Sequence, residues 1–309
     1  MNMTIIINQM IELFLLMALG YILNKIKIFD LRFNKSLTNF LLCVSTPSLI
    51  INSVLNLNEY KPLSEIMQVF IIGIILYAVL PFIGLVINKI IKINEKDNGL
   101  YIFMTIFSNV GFMGFAVINS IFSNSEAMFY ASIINMVFNI YAFTVGIYVL
   151  NIGSENKIAV NLKNIISPAI IASLLSLLIY IFRINVPIVI QNTVGSVGSI
   201  TTPLAMLLIG SSLATMPLKK VFTDIKLNIY VVIRQLILPI ILYPVLALLI
   251  SNKLILGVTF IIIAMPIANY AVLFATKHDK NIDLASKGVF LSTLLSVIGI
   301  PLLVYLFLI

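Results

Sequence analysis

Residues Ser108–Asn119 read SNVGFMGFAVIN. They sit in the middle of an apolar run, Gly99–Phe122, where an unbroken membrane helix would serve. Instead the run carries Asn109, Gly111 and Gly114, a side-chain amide beside two helix-weakening glycines. Each glycine costs about 1 kcal/mol against alanine inside a helix. Hydrocarbon tolerates loosened backbone only where it is buried in protein or lines a wet cavity. A second run, Leu254–Thr276, is interrupted in the same way by MPIANYA, Met265–Ala271. The two interruptions are expected to meet and form one binding site.

Composition sets the class around them. The chain has 309 residues, of which 61% are hydrophobic and only 10% charged. Mean hydropathy is +1.14. No soluble globular domain has that balance, so an all-α polytopic membrane protein in the lipid bilayer is expected. The lone Cys43 excludes a disulfide framework and reads as a small packing residue. The lone His278 falls in a polar loop beside Lys277 and Asp279. The first apolar run is followed by lysines rather than a cleavage site, so no signal peptide is expected.

Ten apolar runs reach the roughly 20 residues that a spanning helix needs. They are Ile5–Leu23, Ser36–Leu55, Leu63–Ile87, Gly99–Phe122, Ala127–Leu150, Ile165–Phe182, Ile190–Leu213, Leu227–Ile250, Leu254–Thr276 and Leu284–Ile309. The odd-to-even connections hold Lys25, Lys27, Arg32 and Lys35, then Lys89, Lys92 and Lys96, then Lys157 and Lys163. They also hold Lys219, Lys220 and Lys226, and Lys277, Lys280 and Lys287. The other side holds only Lys61, Arg183 and Lys253. Lys and Arg are retained in the cytoplasm, so the odd-to-even loops are placed there and both termini outside. The net charge of +8 is thereby read as membrane orientation rather than nucleic-acid binding.

The halves, 1–150 and 151–309, look alike. Ser45-Thr46-Pro47 in span 2 corresponds to Thr201-Thr202-Pro203 in span 7, about 156 residues on. Spans 5 and 10 share that offset, and the broken spans 4 and 9 are partners too. A shift of five spans inverts the second half, the pattern of many secondary transporters. Both breaks fall near the bilayer midplane at 1.5 Å rise per residue. Each second half-helix then begins there, with Pro266 suited to its first position. Freed amides at a helix start, with the positive dipole end, make an anion site. Asn109 and Asn269 add amide donors. Taken singly, Gly111 and Gly114 fit close helix packing and Pro266 fits an ordinary kink. Two breaks at matching depth in matching halves favour a site.

Other polar residues are less decisive. Pro47 and Pro203 read as paired structural kinks whose neighbouring hydroxyls cap freed carbonyls. Arg234, about seven residues from the cytoplasmic end of span 8, is expected to snorkel or to bond a backbone carbonyl. The alternative is that it draws an anion into a vestibule. Asn139 in span 5 and Ser292–Thr293 in span 10 fit both a cavity lining and cross-helix bonding. Glu65 lies at the edge of span 3, and no carboxylate proton relay is expected. There is no HExxH and no GxxxxGK[ST], and one loop histidine supports no Ser-His-Asp set. No enzyme, metal or cofactor is expected.

SNVGFMGFAVINSIF (Ser108–Phe122), FNIYAFTVG (Phe138–Gly146) and TPLAMLLIGSSLA (Thr202–Ala214) occur in that order. They are followed by RQLILP (Arg234–Pro239), AMPIANYAVLFA (Ala264–Ala275) and STLLSVIGIPLL (Ser292–Leu303). This set resembles the bacterial auxin efflux carrier family, over essentially the whole chain. The resemblance implies ten helices in two inverted five-helix repeats, similar to PIN-type and bile-acid-symporter-like proteins. It implies a scaffold of spans 1, 2, 6 and 7 that mediates homodimerisation, and a transport domain of spans 3–5 and 8–10. It also implies small organic anions as substrates, auxin in plants and malate or malonate in bacteria. Gly114-Phe115-Ala116 stands where the family often has Gly-x-Pro, so Gly111 and Gly114 must break span 4 without a proline. The expected function is secondary transport of carboxylates across the cell membrane, bound by Asn109, Gly111, Gly114, Asn139, Pro266 and Asn269. A non-transporting membrane receptor on the same scaffold is the alternative, and a passive channel is a third.

Overall fold

A computed structural model describes residues 3–57, 60–122, 125–153, 167–215 and 222–308. Lys157, Lys163, Lys219 and Lys220, four of the charges assigned to the cytoplasm, lie outside the described residues. Every regular element among the described residues is helical, apart from one isolated antiparallel bridge. In chain order the helices are α1 (Met3–Lys25), α2 (Leu31–Leu55), α3 (Leu63–Ile91), α4 (Glu95–Ile106) and α5 (Val110–Phe122). Then come α6 (Ser125–Phe143), α7 (Val145–Leu150), α8 (Pro168–Phe182) and α9 (Ile188–Ala214). The last are α10 (Ile225–Leu249), α11 (Lys253–Ala264), α12 (Tyr270–Lys277) and α13 (Ile282–Phe307). Five of these, α2, α3, α9, α10 and α13, are long and apolar enough to cross a membrane. Asp30, Ser167, Asp224, Asn252 and Asn281 cap their helices by accepting a bond from an amide of the first turn.

The chain divides into two compact units, each drawing on both halves of the sequence. The first comprises Met1–Phe70, Gly111–Met136 and Ile166–Met216. Its tightest packing sets α1 against the second half of α9. A Cβ on Gly210 would lie 1.8 Å from the Met17 carbonyl oxygen, and one on Gly20 would lie 2.1 Å from that of Leu207. Only glycine admits this approach. Beside it the Ser211 hydroxyl accepts from Asn24 and Asn34 at 3.0 and 2.8 Å and donates to Asn34 Oδ1. The Ser45 and Thr201 hydroxyls, 156 residues apart, bond at 2.5 Å.

In α2 the residues before Pro47 form a π-helical turn, Leu41–Ser45, and the Thr46 N–H reaches back to Leu41. A proline lacks the N–H that would continue the ladder, and a widened turn absorbs the mismatch. Leu41 and Ser45 face inward from this turn, which leaves Cys43 exposed instead of packed. Besides Glu65, a second carboxylate, Glu12, lies within an apolar helix, ten residues into α1 and exposed. Glu65 is engaged by the Tyr130 hydroxyl at 2.8 Å.

The second unit comprises Ile71–Val110, Val137–Ile165 and Pro217–Ile309. At its centre are α4 and α11, buried on all sides from Gly99 to Ile106 and from Gly257 to Ala264. All-round burial explains why these segments are apolar on every face. Close approach again depends on glycine. A Cβ on Gly99 would lie 2.5 Å from the Val149 carbonyl oxygen, and one on Gly146 would press on the rings of Phe103 and Phe107.

The α1–α9 contact generates an expectation. Gly210→Ala should destabilise the protein by about 1–3 kcal/mol, because the added methyl meets backbone that cannot yield. Thermal unfolding in detergent measures it, and an unchanged midpoint would show that α1 does not pack there.

Candidate functional site

Helix α4 stops at Ile106 because the next residues are extended, with Phe107 at φ −98° and ψ 100°. Ser108 and Asn109 favour such an exit, since their short polar side chains compete with helical hydrogen bonds. Helix α11 stops at Ala264 for a different reason. Met265 precedes Pro266, and the proline ring drives the preceding residue out of the helical region, here to φ −67° and ψ 149°. Span 4 is thus broken without a proline, and earlier than its glycines.

The two extended segments pair. The Asn109 N–H donates to the Pro266 carbonyl at 2.7 Å, and the Ala268 N–H donates to the Phe107 carbonyl at 2.9 Å. Ser108 and Ile267 face each other across this antiparallel bridge. The Ile267 N–H points the other way, to the Ser292 hydroxyl at 3.1 Å, which itself donates to the Val289 carbonyl. Ser292 therefore bonds across helices to main chain, while Thr293 bonds only within α13.

The carbonyl end of α11 is held from α10. Arg234 Nη1 donates to Ile263 at 3.0 Å and Gln235 Nε2 donates to Ala264 at 2.6 Å. Adjacent side chains on an α-helix diverge by about 100°. Here both reach successive carbonyls from a π-helical turn, Ile233–Ile237, that ends two residues before Pro239. Arg234 does not snorkel. It is 1% exposed and sits at the negative end of the α11 dipole. That placement returns about 0.3–2 kcal/mol, against a burial cost for a lone guanidinium of about 3 kcal/mol. In the sequence Gln235 is legible only as an amide beside Arg234 in an apolar run.

The site residues expected from sequence separate as follows. Asn109 and Pro266 are members of the bridge itself, and Asn109 is 5% exposed. Asn139 is 3% exposed and accepts from the Tyr270 hydroxyl at 3.0 Å. Asn269 is exposed, immediately precedes α12 and makes no side-chain capping bond. Pro266 is not the first residue of the second half-helix. Helix α12 begins at Tyr270, because the three residues after the proline are spent on the bridge and the turn out of it. Gly111 and Gly114 lie in a π-helical turn, Val110–Gly114, at the start of α5 and belong to the first unit. A Cβ on Gly111 would meet nothing within 4 Å, so close helix packing is not its reason.

Aromatic rings cluster in the second unit, and one of them, Tyr270, bonds Asn139. Phe138 packs edge-on to Phe107 at 5.2 Å and tilts against Tyr270 at 5.4 Å, and Tyr77 stacks on Phe107. Ring edges carry positive potential and suit a carboxylate approaching in the ring plane. Among the described residues no group of three His, Cys, Asp or Glu side chains is placed to hold a metal. The arrangement offers amide and backbone donors, an apolar wall and one buried cation.

Ser292→Ala should leave the Ile267 amide without a partner in a dry setting, costing about 1–3 kcal/mol. A thermal melt checks this, and an unaltered melting temperature would mean that water already serves that amide.

Comparison with known proteins bears on this geometry. A family model described as "Membrane transport protein" matches the chain twice, at residues 5–159 and 154–304. An uncharacterized transporter of Methanothermobacter thermautotrophicus is 25% identical over 302 residues, 96% of each chain. An uncharacterized transporter of Methanocaldococcus jannaschii is 23% identical over 299 residues, 93% of this chain and 94% of that one.

Proposed function

The chain belongs to the membrane transport protein family, that of the auxin efflux carriers, and on that premise we propose that it is a secondary transporter of small organic anions. The substrates are carboxylates such as malate or malonate, or auxin-like acids. One observation carries the reading. Two helices of a membrane unit stop at a shared backbone bridge, and Asn109, Asn139 and Asn269 bring amides to the bridge and its flanks.

Several features support an anion in particular. Arg234 places a positive charge at the end of α11, three residues from Pro266. The rings of Phe107, Phe138 and Tyr270 suit the apolar body of a small acid. In this reading Asn109 and Asn139 hold the carboxylate from buried positions and Asn269 meets it from the exposed side. Pro266 keeps the second segment out of helix. Gly111 and Gly114 follow Asn109 along the chain and keep that turn pliable. Net movement of the anion is driven by the membrane potential, worth about 2.3 kcal/mol per charge per 100 mV.

The finer architecture follows the family likeness. It comprises ten spans in two inverted repeats, a dimerising scaffold of spans 1, 2, 6 and 7, and a plasma-membrane location with both termini outside. The basic residues on the odd-to-even loops support that orientation.

Uptake of labelled malonate or malate into proteoliposomes tests the reading. Asn109→Ala and Asn269→Ala should each slow uptake about tenfold or more, the worth of one good hydrogen bond to a charged group. Wild-type rates in both variants would remove this site. Saturable binding without flux in the unaltered protein would point to a receptor instead.

A further inference from the structure

Arg234 does more than hold a helix end. It is the only charged side chain buried well inside a described helix of the second unit, and among the described residues no carboxylate pairs with it. One of its nitrogens serves Ile263, while Nε is buried with no partner. The Tyr77 hydroxyl is equally buried and equally unpartnered, and it lies within electrostatic range of the guanidinium. The neighbouring Gln235 Oε1 is a third buried polar atom left unbonded. Buried polar atoms are ordinarily satisfied, and a buried cation ordinarily has an anion. Two unmet buried donors, one of them on an unneutralised guanidinium, have the chemistry that binds a carboxylate.

We infer that Arg234 Nε and the Tyr77 hydroxyl form an anion subsite behind the crossing, which takes one carboxylate group of the cargo and neutralises the guanidinium. The Gln235 carbonyl oxygen then accepts from a hydroxyl or water accompanying that group. This deepens the organic-anion reading and rests on it. It makes Arg234 the residue that selects for charge, whereas the asparagines recognise shape and hydrogen bonding.

The test uses the purified full chain in detergent, titrated with sodium formate, sodium malonate and neutral malonamide. Wild type should bind formate and malonate and ignore malonamide. Arg234→Gln should raise the dissociation constant about 30-fold or more, as expected for removing one member of a buried charge pair. Because that variant also loosens α11, Tyr77→Phe provides an independent arm. It deletes only an unbonded hydroxyl, so the melting temperature should hold while anion affinity falls about fivefold or more. Unchanged carboxylate affinity in folded Tyr77→Phe and Arg234→Lys proteins, with affinity lost in Asn109→Ala, would overturn the subsite and leave the transport reading standing. Anion binding that depends on Arg234 without any malonate flux would leave the subsite standing and overturn the transport reading. A wild-type protein blind to formate and malonate would end both.

Discussion

Two main-chain hydrogen bonds, Asn109 to Pro266 and Ala268 to Phe107, are the constraint from which the second unit follows. In hydrocarbon a backbone amide or carbonyl without a partner costs several kcal/mol. A helix that stops halfway across leaves such groups behind. Here the two interrupted spans use each other, each extended segment supplying what the other lacks. The remaining groups are met from neighbouring helices. Ser292 takes the Ile267 amide, Arg234 the Ile263 carbonyl and Gln235 the Ala264 carbonyl. Remove the bridge and both breaks lose their reason to persist, since a continuous helix would satisfy the same groups without help.

The bridge also explains features that look unrelated along the chain. Helices α4 and α11 must be enclosed if their ends are to be paired with protein rather than exposed to lipid. The enclosing helices must then come close, hence Gly99 and Gly146 against neighbouring backbone and rings. A π-helical turn in α10 lets two adjacent side chains serve two successive carbonyls. Arg234, Gln235 and Ser292 thus fall into a single arrangement around two broken helices.

How much of this the sequence reveals depends on whether the cause is local. That both runs break is legible, because proline, asparagine and glycine leave their mark in an apolar run, but span 4 breaks at Phe107–Asn109 and not at Gly111 and Gly114, where the sequence places it. The likeness of Ser45-Thr46-Pro47 to Thr201-Thr202-Pro203 is legible, but the Ser45–Thr201 hydrogen bond is not, since likeness in sequence implies no contact. Nor is the strand-like pairing of Ser108 with Ile267, because its partner groups are main chain and no residue type encodes them. For Arg234 the sequence leaves snorkelling and a backbone-carbonyl bond open together, and the carbonyl bond is the one formed; that the carbonyl is Ile263's depends on Met265 and Pro266 ending α11. Local rules place Pro266 at the helix start, and the bridge moves that start to Tyr270. Glu12 leaves little trace in hydropathy, which averages over the apolar residues around it. Its exposed position on α1 appears only once the helices are packed.

The two sides of the crossing differ in a way that suits a binding site. Toward α10 and α13, every group the break exposes at Ile263, Ala264 and Ile267 is tied by a named side chain, so that side is fixed in place. Toward α12 only the entry lacks such ties. Asn269 is exposed and its side chain caps nothing, while Ala271, Phe274 and Ala275 behind it are buried and Tyr270 bonds Asn139. Recognition needs held donors, because a donor displaced by an ångström loses much of its bond. On the proposed reading, a bridge that fixes one flank of a broken helix and leaves one exposed amide at the other meets that need and keeps a way in.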